Sequence, residues 1–191
     1  MPQIVDYQIV LERMQSLGLK SLYYNSGAFG PADHGATKVI GWIGGEDPTI
    51  RPEARALARI VSPPIEQNLT NLVESAWKTI LPGPIWFMPK SHWAFELDFG
   101  NHAWLSPALE AAKVDWKALA PRTNASAVEF DASESDAAMA LLLAILTHLA
   151  GSDFALAWPS WPVACTIHHH KQVWWMTADA SLHERLGAIY R

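Results

Sequence analysis

Apolar residues at Tyr7, Val10, Leu11, Met14 and Leu17 recur at spacings of three and four, and Gly18 follows them. This spacing predicts a helix over 4–17 with one buried stripe and a glycine stop. The same period returns at Ile65, Leu69, Leu72, Val73, Ala76, Trp77 and Ile80, bounded by Pro63-Pro64 and Pro82-Gly83-Pro84. Pro52 opens a shorter predicted helix over 52–61. Ser106-Pro107 predicts another to about Leu119, with serine as cap and proline in the first turn. Residues up to Ala150 after a cap at Asp131 or Ser133 are apolar nearly all round, as in a helix buried on most faces. A last helix covers 180–189.

Between these segments the period changes to two. Strands are expected at 21–25, 37–43, 84–88, 92–99, 127–130, 154–158, 163–168 and 172–177. In HWAFELDF, residues 92–99, Trp93, Phe95, Leu97 and Phe99 would share one face and His92, Glu96 and Asp98 the other. Strands thus cluster without regular strand-helix-strand alternation. The fold class expected is α+β, a mostly antiparallel β-sheet with helices packed on one face, as a single domain over 1–191.

The stretch CTIHHHKQVWW, 165–175, decides a register. As one strand, 163–177 would place His169 and Lys171 within the apolar row of Cys165, Ile167, Val173 and Trp175. A turn at 169–171 instead pairs Ile167 with Val173 and Cys165 with Trp175 on a buried face. His168 then pairs with Gln172, and Thr166 with Trp174, on the other face, leaving His169 and Lys171 exposed at the tip. The turn lacks the Gly, Asn or Asp that short hairpins favour.

Composition narrows the function classes. Half of the 191 residues are hydrophobic and only 17% are charged, against roughly 25% in an average globular domain. Apolar surface is left over after a core is filled, which points to a homodimer or a ligand pocket. A net charge of −5 argues against nucleic acid, whose backbone demands a basic face. The longest apolar run, 137–150, is too short for a bilayer span of about 20 residues, so no membrane partner is expected. The N-terminus lacks the cationic start and apolar core of a signal peptide, and a cytoplasmic location is expected. A single cysteine, Cys165, precludes an intramolecular disulfide or a multi-cysteine zinc ribbon.

Candidate chemistry is sparse. No H-E-x-x-H, G-x-S-x-G or phosphate-cradling glycine motif occurs. The glycine loop 25–36, with Asp33 and His34 at its tip, reads as a connection, and Arg51, Arg55 and Arg59 as a solvated helix stripe. Cys165 reads as an inert core thiol. The ten tryptophans read mostly as core, with Trp174 on the same strand face as His168.

Two function classes follow. The first is a non-catalytic binding domain for a small-molecule ligand or partner, using Trp174, His168, His170 and Tyr24. No metal is expected in it. The second is a metal-assisted hydrolase with Glu96, Asp98 and His92 as catalytic candidates. It would hold zinc through His92, Glu96, Asp98 and His168.

Overall fold

The computed structural model describes residues 1–32, 38–43 and 65–189. The helix expected over 52–61, Arg51, Arg55, Arg59, Asp33 and His34 lie outside the described residues. In chain order the elements begin β1 (Gln3–Val5), α1 (Tyr7–Ser16), β2 (Leu19–Ser21), β3 (Phe29–Pro31), β4 (Lys38–Ile43), α2 (Ile65–Thr79) and β5 (Ile85–Pro89). Next come α3 (Trp93–Phe95), a π-helical turn (Glu96–Gly100), α4 (His102–Ala111), α5 (Trp116–Leu119) and β6 (Ala127–Phe130). A 3₁₀ turn (Ala132–Glu134), α6 (Ser135–His148), β7 (Phe154–Ala157), β8 (Val163–His168), β9 (Gln172–Thr177) and α7 (Ala180–Ile189) complete it.

Seven strands form one sheet in the order β1-β6-β5-β7-β8-β9-β4, every pairing antiparallel. The α+β class is as expected. Period two splits the sheet into faces. Phe87, Leu156, Cys165 and Trp175 join the core built with α2, α4, α6 and α7. Trp86, Met88, Ala155, Ala157 and Ala164 pack instead with Tyr7, Val10 and Met14 of α1 and with Phe29. The expected helical layer is therefore joined by a smaller cover on the opposite face, where alanines let α1 approach. On the helical side, fully burying a side chain such as Phe87, 0% exposed, stabilises by roughly 2–3 kcal/mol.

Four local expectations are corrected. Ile4 and Val5 do not open α1. They pair with Val128 and Ala127, and Asp6 precedes the helix. The α4 helix starts four residues before Ser106, whose hydroxyl donates to the His102 carbonyl at 2.8 Å instead of capping. Lys113, at φ +61°, then separates α4 from α5. Strand β2 ends at Ser21, leaving Tyr23 and Tyr24 exposed beyond it.

The fourth correction concerns residues 92–99, which are helical. His92 caps α3, its Nδ1 accepting the Phe95 N–H at 3.1 Å. Trp93 and Leu97, both buried, stand at i and i+4, a spacing that suits a strand face and a helix stripe equally. Phe95 separates the two readings, and it is 44% exposed.

Candidate functional site

The hairpin forms in the expected register: Ile167 pairs with Val173, Cys165 with Trp175, Thr166 with Trp174 and His168 with Gln172. The turn is three residues long, and its last position takes the left-handed conformation, Lys171 at φ +58°. That is the geometry of a three-residue hairpin loop normally closed by glycine. The Lys171 ammonium is ion-paired with Glu66 of α2, tying the tip to the helical layer.

The three histidines are not splayed into solvent. His168 is buried at 8% exposure. One face of its ring stacks on Trp174, centroids 4.9 Å apart and planes within 3°. It also stacks on His169 at 4.2 Å and meets His170 edge-on at 4.9 Å. Trp174 is held by its indole N–H, which donates to Gln172 Oε1 at 2.8 Å. The expectation that His169 is exposed is corrected: its side chain is 29% exposed, because it folds back onto Asp153.

Asp153 organises the group. Its Oδ1 accepts both the His169 backbone N–H at 3.1 Å and His169 Nδ1 at 2.9 Å. The same oxygen lies 4.0 Å from His168 Nε2, and Oδ2 lies 3.6 Å from Lys90 Nζ. With Nδ1–H given to the carboxylate, the lone pair of His169 sits on Nε2. His168 is the other way round: its Nδ1 accepts the His170 N–H at 3.1 Å.

Burial holds His168 down at a pKa of about 4, with Asp153 opposing and His169, His170 and Lys90 adding to the shift. A histidine depressed in the fold favours its neutral form there, so its contribution to stability is complete above the unfolded value of about 6.5 and is lost toward pH 4. We expect metal-free protein to lose on the order of 2 kcal/mol over that window from this residue. Urea midpoints at pH 7 and pH 4.5 check this, with a smaller loss expected for His168→Gln.

The second expected cluster is taken apart. Glu96, 0% exposed, accepts from Ser91, from Asn101 Nδ2 at 2.5 Å and from Ser152 Oγ at 2.8 Å. Asp98 is exposed and His92 serves as a cap. The strand face on which His92, Glu96 and Asp98 were to meet His168 does not exist. Glu96 instead ties the π-helical turn to Ser152, the residue before Asp153. Among the described residues, the group of His, Cys, Asp or Glu side chains close enough to share an ion is His168, His169 and His170.

Tyr24 does not join Trp174 and His168 in this stack. With Gln8, Leu11 and Lys20 it lines a groove of about 500 Å³ between α1 and β2. Cys165 is buried on the helical face, and burial pushes its thiol well above its ordinary pKa. Sequence reasoning missed Asp153 and Lys90. The signal is the β7–β8 register: Phe154 pairs with Ile167, which sets Asp153 opposite His168.

Comparison with known proteins returns no match: no family model, curated protein or solved structure is significantly similar to the chain.

Proposed function

We propose that the chain is a non-catalytic binding domain whose ligand surface is the stacked group of Trp174, His168 and His169, with Asp153 and Lys90 beside it. The observation that carries this reading is the parallel-stacked His168–Trp174 pair, 4.9 Å between centroids. Paired rings beside a fixed carboxylate and an ammonium give a flat, polar-edged wall for a small planar molecule. The hydrolase reading has less support. The Glu96 carboxyl is taken up by three donors, and Asp98 is exposed elsewhere.

Saturation-transfer NMR with a panel of azoles and small aromatic carboxylates tests the reading. Wild-type protein is expected to bind members of the panel, and Trp174→Ala to lose them while remaining folded. Equal binding by both would contradict it. Leu22, Tyr23 and Tyr24, at 42%, 69% and 92% exposure, support a homodimer as the assembly. Light scattering on the same samples should then give twice the 21.1 kDa chain mass, and a monomer mass would remove the dimer.

A further inference from the structure

We propose that His168, His169 and His170 form a binding site for a divalent transition-metal ion such as zinc, with Asp153 as the positioning carboxylate. The inference rests on the binding reading above and names a ligand class for that surface.

Three observations carry it. One ring nitrogen from each histidine lies within 4.8 Å of those of the other two. A tetrahedral centre with bonds of about 2.1 Å holds its nitrogens about 3.4 Å apart. Side-chain rotation of His169 and His170, both in the turn beside the fixed His168, is enough to close that difference.

His169 is prepared for this role. Its Nδ1 lies 2.9 Å from Asp153 Oδ1, and a carboxylate on one imidazole nitrogen orients the ring and makes the other nitrogen more basic toward a metal. Asp153 is in turn fixed by the His169 backbone N–H and by Lys90. This is a supporting shell that a string of solvated histidines would not have.

His168 brings its lone pair on Nδ1, where it now accepts the His170 N–H at 3.1 Å. Coordination exchanges that hydrogen bond for a metal–nitrogen bond, so the His170 amide should lose hydrogen-exchange protection when the ion binds. Each of the three metal–nitrogen bonds replaces a bond from the ion to one of its hydration waters, and no redox step is involved. The three nitrogens leave a fourth position for water or for a donor atom of the bound molecule.

Isothermal titration of zinc chloride into the untagged, chelator-stripped chain tests the site. One saturable site per chain is expected. His169→Gln, in the turn, is expected to abolish it. Asp153→Asn should weaken it about 10- to 100-fold. His92→Asn keeps a capping side chain and should bind zinc as the wild type does.

Absence of saturable binding in the wild type would overturn the proposal, as would undiminished binding by His169→Gln or Asp153→Asn. Loss of binding in His92→Asn would place any site elsewhere. Thermal unfolding of each metal-free variant confirms that it is folded before titration. A chain that binds the aromatic panel but no zinc loses this inference alone, while one that binds neither loses the binding reading as well.

Discussion

Glu96→Ala is expected to cost about 3–5 kcal/mol of unfolding free energy, because three donors, two of them part-buried, lose their acceptor at about 1–3 kcal/mol each. Ser91, Asn101 and Ser152 would each lose the acceptor they now share. The Asn101 amide nitrogen would keep only Ser152 Oγ, at 3.0 Å. Glu96→Gln retains the volume and one acceptor, and the two serine hydroxyls can turn toward its amide. A smaller loss of about 1 kcal/mol is therefore expected. Denaturant unfolding of both variants checks the pair; equal losses would mean that the retained volume and single acceptor of glutamine do not replace the carboxylate. Because Ser152 adjoins Asp153, the alanine variant should also loosen the histidine stack.

Gly27→Ala comes next, at roughly 2–4 kcal/mol, above most overpacking because backbone stands in the way. A Cβ there would lie 2.5 Å from Met88 Cγ and 2.6 Å from the Pro89 carbonyl oxygen. The methionine can rotate away; the carbonyl cannot. Displacement would also break the Gly27 N–H bond to that carbonyl, 3.3 Å, and lift the segment that covers β5. Gly30→Ala is the contrast, since its Cβ would meet only Leu22 side-chain carbons at 3.5 Å and beyond. We expect it to lie within about 0.5 kcal/mol of wild type. Thermal unfolding of the two variants side by side checks this, and similar midpoints would refute the close approach at Gly27.

What the sequence made legible follows physical lines. The β8–β9 register could be read because a single turn position keeps Cys165, Ile167, Val173 and Trp175 on one face, and a slip by one residue would bury Lys171. The long apolar helix was likewise readable, but the capping box of Asp131 and Glu134 closes the 3₁₀ turn that precedes it, and α6 itself has no side-chain cap. Residues 92–99 were misread because Trp93 and Leu97 satisfy periods of two and four together. The choice was made by tertiary contacts such as Trp93 Nε1 to the Ser126 carbonyl, 2.5 Å. Ile4 and Val5 became a strand for a similar reason: β6 offered them a ladder.

The site was half visible. His168, His170 and Trp174 lie in one local hairpin, so their grouping follows from the register. Asp153 reaches them through pairing with a different strand, and Lys90 through a third. Glu96 was singled out for its chemistry, yet its burial and its three donors depend on a helical turn that the alternating pattern concealed.

The central claim is that the three histidines form an ordered group built around Asp153. Imidazole ¹H–¹⁵N NMR of the metal-free chain across pH 8 to 3.5 tests this most directly. The structure predicts His169 as the Nδ1–H tautomer and His168 as the Nε2–H tautomer, with His168 staying neutral down to a pH of about 4. Histidines in rapid tautomeric exchange, with His168 titrating near the ordinary value of about 6.5, would contradict it.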